Sequence, residues 1–176
     1  MTRYAAGLDL SLRCAGIALV PTDWAPALDW SRVIVRSVGV SLKKDATEWE
    51  RGHRVSEMSR AIVHLLGQYE IERTFIEQYA FAQMLSQAHS LGELGGAVKL
   101  RLYEAGLQWS TVVATSARTH LGKMPRKGAK DAAHDVLERM GCPADWKPDE
   151  KDALIIGNAG LFELGHVGFS LKGVAA

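Results

Sequence analysis

Four carboxylates stand out from their surroundings in this sequence. Asp9 interrupts the apolar run Gly7-Leu8-Asp9-Leu10, and Glu77 ends the run Thr74-Phe75-Ile76. Asp149 and Asp152 lie three residues apart, just before Ala153-Leu154-Ile155-Ile156. Taken singly, each has an ordinary explanation. Asp9 could cap a turn with Ser11, Glu77 could be a solvated strand end, and Asp149, following Pro148, suits the first turn of a helix. Capping does not account for Asp152, which precedes core-forming residues. An acid inside an apolar strand is costly to bury unless a cation or hydrogen bonds hold it. If the four meet, their mutual repulsion calls for positive charge, which hard divalent cations with oxygen ligands supply. Two such ions roughly 4 Å apart are a known device for in-line phosphodiester chemistry.

A second pattern adjoins the first. Between residues 118 and 130 stand Arg118, Lys123, Arg126, Lys127 and Lys130, with His120 and no acid; Glu138, Asp145, Asp149, Glu150 and Asp152 follow. Those cations could neutralise phosphates beside the acids, giving salt-dependent and largely sequence-blind binding; a solvated basic loop is the plain alternative. Tyr79 and Phe81 alternate on a strand continuation, so both project one way and one could stack on an unpaired base or pack under the next helix. The six histidines show no metal-ligand spacing, which disfavours zinc.

Elements must bring these residues together. Apolar density predicts strands over Tyr4–Leu10 and Cys14–Val20 around a tight Ser11-Leu12-Arg13 turn, and a third over Val33–Val40, rich in β-branched residues. Residues 54–67 carry a helical stripe of Val55, Met58, Ile62, Leu65 and Leu66. A strand over Ile71–Tyr79, a helix over Leu85–Ala105, a strand over Trp109–Ala114 and a helix over Ala129–Met140, stopped at Gly141, follow. Gly92 and Gly96, one turn apart, leave room for another backbone. Pro148 introduces a last helix, roughly 149–164, closed by Gly165. Three strands on short links are antiparallel; strands separated by helices are added in parallel by crossovers. The expectation is α/β: a mixed five-stranded sheet flanked by helices. With the first strand central and the Glu77 strand parallel beside it, Asp9 and Glu77 approach, and the last helix adds Asp149 and Asp152.

Composition narrows the class. A chain of 176 residues suits a single domain over 1–176. A net charge of +1 argues against a histone-like basic protein but not against a nucleic-acid enzyme with a local positive face. No apolar run is long enough for a membrane span, and Asp9 and Arg13 spoil a signal-peptide reading. Cys14 and Cys142 make no CxxC pair, which suits a reducing cytoplasm, that of a host cell if the gene is a phage's.

The ordered set Gly7-Leu8-Asp9-Leu10-Ser11 with Gly16, Phe75-Ile76-Glu77-Gln78, Leu91-Gly92-Glu93-Leu94-Gly95-Gly96 and Asp149-Glu150-Lys151-Asp152-Ala153-Leu154 resembles the RuvC family of Holliday-junction resolvases. The resemblance spans nearly the whole chain and implies a ribonuclease-H-like fold. It implies Asp9, Glu77, Asp149 and Asp152 as metal-binding catalytic acids, two Mg²⁺ or Mn²⁺ ions per site, and a homodimer cutting two symmetric strands of a four-way junction to leave 5′ phosphate and 3′ hydroxyl ends. Leu10-Ser11 stands where bacterial members carry Pro-Gly, and Ala80 where they carry a stacking aromatic. Rival readings are a ribonuclease-H-like nuclease with broader branched-DNA or RNA specificity, and a junction-binding module that does not cut. A sugar-kinase-like nucleotide binder would need a second domain, so no nucleotide cofactor is expected.

Overall fold

The computed structural model describes residues 2–24, 28–78 and 85–170, without the side chains of 85–88. Five strands form one sheet in the order β3-β2-β1-β4-β5. β1 (Arg3–Asp9) and β2 (Ala15–Pro21) form an antiparallel hairpin, and β3 (Ile34–Val38) pairs antiparallel to β2. β4 (Glu70–Glu77) and β5 (Trp109–Val112) are added in parallel after helical crossovers. The mixed five-stranded arrangement expected from the element order is the one observed, with β1 in the centre. The chain between β2 and β3, read as loop, contains a 3₁₀ turn at Trp30–Arg32.

Helices cover both faces, because β1 and β2 bury residues on both sides of the pleat. On one face, α1 (Glu48–Leu66) and α2 (Leu85–Glu104) close a core of Leu8, Ile17, Leu19, Met58, Ile62, Ile76, Leu94 and Val98. α1 starts six residues earlier than its apolar stripe implies, because Thr47 and Glu50 make a reciprocal capping box. The other face carries α3 (Ala114–Thr119), α4 (Ala129–Arg139) and α5 (Pro148–Glu163). β5 stops at Val112 rather than Ala114, since the chain turns into α3, a helix not expected from the sequence.

α5 is buried at every position from Glu150 to Leu161, its apolar residues from Ala153 onward facing all round because it lies between the sheet and other helices, and its first turn burying the charged Glu150, Lys151 and Asp152. Glycines permit its close approach. A Cβ on Gly7 would lie 2.0 Å from the Ala153 carbonyl oxygen, and one on Gly16 would lie 2.0 Å from that of Asp149. Gly92 and Gly96, by contrast, are exposed, and a Cβ on either would meet nothing within 4 Å among the described residues, so no backbone approaches them there. No helix among the described residues is long and apolar enough to cross a membrane.

Candidate active site

The sheet alone brings two acids together. Leu8 pairs with Ile76 in the parallel β1–β4 ladder, so one residue further along Asp9 lies beside Glu77 at the ends of both strands. Asp9 also pairs with Gly16 across the hairpin, and Gly16 is where the first turn of α5 presses on the sheet. A single register thus sets Asp9 between Glu77 on one side and the Asp149 turn on the other. Asp152, one turn further along α5, is 5 % exposed and close enough for its charge to act on Asp9.

The electrostatics record this crowding. Asp9 is pushed up to about 8, first by burial, then by a hydrogen bond and charge from Glu77, and by the charge of Asp152; Lys130 opposes. Ionised carboxylates only accept hydrogen bonds, so the proton that Asp9 retains is the one that faces Glu77. Asp152 goes the other way. Burial raises it, but the hydrogen bond from His134 and the charge of Lys130 hold its carboxyl below the usual range. The Lys130 ammonium pairs with Oδ2, His134 Nε2 lies 3.2 Å from Oδ1, and the Arg118 guanidinium lies 3.9 Å from Oδ1. Oδ2 is buried and meets hydrogen-bond geometry with no neighbour, so its contact with Lys130 is ionic. Lys130 is depressed by burial but raised on balance by Asp152, Asp9 and Asp149, which places it amid all three.

The intervening acid and lysine of α5 face elsewhere. Glu150 accepts from the Lys147 backbone N–H at 2.9 Å and from Ser37 Oγ on β3 at 2.8 Å; buried Lys151 pairs with Glu138 of α4 at 2.7 Å. Glu150 and Lys151 therefore face away from the acids, while Asp149 and Asp152 both lie near enough for their charge to act on Lys130.

The expected site residues are thus distributed. Asp9, Glu77, Asp149 and Asp152 gather at one end of the sheet. Arg118 and Lys130 reach Asp152, while Arg118, Lys123 and Arg126 line an open groove of about 570 Å³ with Thr115, Thr119 and Met124. Arg118 also borders a narrow crevice shared with Glu77 and Asp152, so groove and acids are contiguous. Lys127 is exposed and makes no ion pair among the described residues. Tyr79 and Phe81 lie outside the described residues. His134 escaped sequence reading. Its one signal is the four-residue spacing from Lys130, which stacks the two on one face of α4.

The donors are all oxygens, the chemistry of a hard divalent cation. Among the described residues no group of three or more His, Cys, Asp or Glu is gathered in ligating geometry, because Asp152 is turned to Lys130 and His134. The set nonetheless fits a cation. Asp9 keeps a proton to about 8 because burial, and then the neighbouring acids, penalise its charge, and a buried oxygen of Asp152 lacks a hydrogen bond. A cation would replace that proton and serve that oxygen.

Sheet order, helix placement and acid cluster together define a ribonuclease-H-like fold. No family model and no curated protein matches the sequence. Among solved structures the chain is similar to Thermus thermophilus RuvC in complex with a Holliday junction substrate, at 19% identity and TM-score 0.68 over 94% of this chain and 96% of that one. Another Thermus thermophilus RuvC structure gives 19% identity and TM-score 0.67 over 96% and 99% of the two chains. Ydc2, the yeast mitochondrial Holliday junction resolvase, gives 14% identity and TM-score 0.53 over 89% and 76%.

Proposed function

We propose that this protein is a divalent-cation-dependent endodeoxyribonuclease that resolves four-way DNA junctions by phosphodiester hydrolysis. The observation that carries the reading is the contact between Asp9 and Glu77 on neighbouring parallel strands, with Asp152 crowding the pair and a basic groove opening alongside. The likeness to RuvC and to Ydc2 supports the substrate class.

Asp9, Glu77, Asp149 and Asp152 would hold Mg²⁺ or Mn²⁺, which supplies Lewis-acid stabilisation of the charge that builds on the phosphate during in-line displacement. The chain's own residues do the rest. Asp9 gives up the proton it otherwise holds to about 8 and stands as a carboxylate beside Glu77. Arg118, Lys123 and Arg126 hold the backbone of the DNA along the groove, so that a phosphate is presented to the acids rather than repelled by them. Lys130, seated amid Asp9, Asp149 and Asp152, keeps their charge tolerable before substrate arrives. Cutting two symmetric strands requires two such sites, which a homodimer provides.

The test is single-turnover cleavage of four-way, three-way, flap and RNA–DNA substrates in Mg²⁺ or Mn²⁺. Nicks in the four-way junction are expected, along with binding but no cutting by Glu77→Gln. An uncut junction in either ion, or a Glu77→Gln protein cutting at the wild-type rate, would sink the proposal. Preferential cutting of another substrate would establish the broader branched-nucleic-acid specificity instead.

A further inference from the structure

Resting on that reading, a second role can be assigned on α4. Asp152 is 5 % exposed, and its two oxygens have different surroundings. Oδ2 meets the Lys130 ammonium, which lies amid Asp9 and Asp149 and so marks the side on which the acids converge. Oδ1 faces away from that contact, to His134 Nε2 at 3.2 Å. Arg118, at 3.9 Å, is beyond hydrogen-bond distance. A carboxylate only accepts, so Nε2 carries the proton in this pair whatever the charge of the ring. Among the described residues His134 thus makes the one directed hydrogen bond to the Asp152 carboxylate.

As a mere clamp between α4 and α5 the histidine would be redundant. Ala133, Val136 and Leu137 of α4 are buried in the core shared with Ala153, Leu154 and Ile155, and Glu138 pairs with Lys151 one turn further on. What those contacts do not set is which oxygen of Asp152 looks toward Asp9. Partners of this kind, which orient a ligating group, change metal affinity or activity by about 10–100-fold when removed.

We propose that His134 is a positioning residue, holding Oδ1 of Asp152 so that Oδ2 is presented to the divalent cation. The test measures Mn²⁺ binding to the full chain without DNA, by calorimetry and by the loss of the free-ion electron spin resonance signal. His134→Ala and the isosteric non-donor His134→Leu should weaken Mn²⁺ about 10–100-fold. His134→Gln, whose amide can donate from a similar place, should restore binding to within about threefold of wild type, and Glu138→Gln, which loosens only the neighbouring ion pair, should stay equally close. The Mn²⁺ concentration for half-maximal junction cleavage should shift in parallel, with junction affinity in metal-free buffer unchanged.

Wild-type Mn²⁺ affinity in both non-donor variants, failure of the glutamine to restore it, an equal loss in Glu138→Gln, or a wild type that binds no Mn²⁺ would each overturn the assignment. If His134→Ala does not fold, the leucine–glutamine pair decides. A wild type that binds Mn²⁺ but cuts no branched DNA overturns the nuclease reading alone, and the binding shift still decides the role of His134.

Discussion

Replacing Asp9 by asparagine should make the cation-free protein more stable, although it removes a residue central to the site. In the folded chain Asp9 holds its proton up to about 8, against 3.8 for an ordinary aspartate. Between those values the folded state binds a proton that the unfolded chain has released, so stability falls as pH rises through the window. The slope is about 1.4 kcal/mol per pH unit, and roughly three units separate 3.8 from neutrality, which sets a ceiling of about 4 kcal/mol at pH 7. Asparagine keeps the shape, carries no charge and can donate its amide to Glu77. Urea unfolding in chelator from pH 4 to 8 should show Asp9→Asn more stable by about 1–4 kcal/mol at pH 7, the difference shrinking toward pH 4. Mg²⁺ or Mn²⁺ should then stabilise wild type by mass action and leave the variant unmoved. A variant less stable than wild type at pH 7, or two parallel stability curves, would refute the crowding on which the site is built.

Two further outcomes follow from the same geometry. A methyl group on Gly16 would lie 2.0 Å from the Asp149 carbonyl oxygen, so Gly16→Ala must push the first turn of α5 off the sheet. A stability loss of about 1–3 kcal/mol in urea melts, with cleavage down about 100-fold, is expected, and a rate within twofold of wild type would contradict it. Removing Arg118, Lys123 and Arg126 together should weaken junction binding evenly across sequences. The slope of log affinity against log salt should fall by about 2–3, and an unchanged slope would place the DNA elsewhere.

Much of this architecture can be read from the linear chain. Apolar density and β-branched residues marked the strands, helical stripes and Gly or Pro stops marked most helices, and link lengths told antiparallel from parallel pairing. Asp9 and Asp152 stood out because each sits among apolar residues, where burial penalises charge, and Glu77 and Asp149 because strand order and helix spacing set them beside those two. The boundaries that moved did so for local reasons. Thr47 and Glu50 cap α1 ahead of its apolar stripe, and the chain leaves β5 early to form the short α3. Exposed Gly92 and Gly96 show the opposite error, since small residues permit a close approach without causing one.

What periodicity cannot supply is the relation between one element and another. Spacing on α5 put Asp149 and Asp152 on one face, but only the packing of α5 on Gly7 and Gly16 placed that face at Asp9, because it depends on how far two backbones can approach. The proton retained by Asp9 likewise arises from burial and from a register across two strands far apart in sequence. His134 was silent until α4 docked on α5, for a histidine's chemistry is set by the atom its ring meets, and that atom belongs to another helix. Residue types and their order thus determined which chemistry was available to this protein, while tertiary contacts decided which carboxylates meet and what each of their oxygens faces.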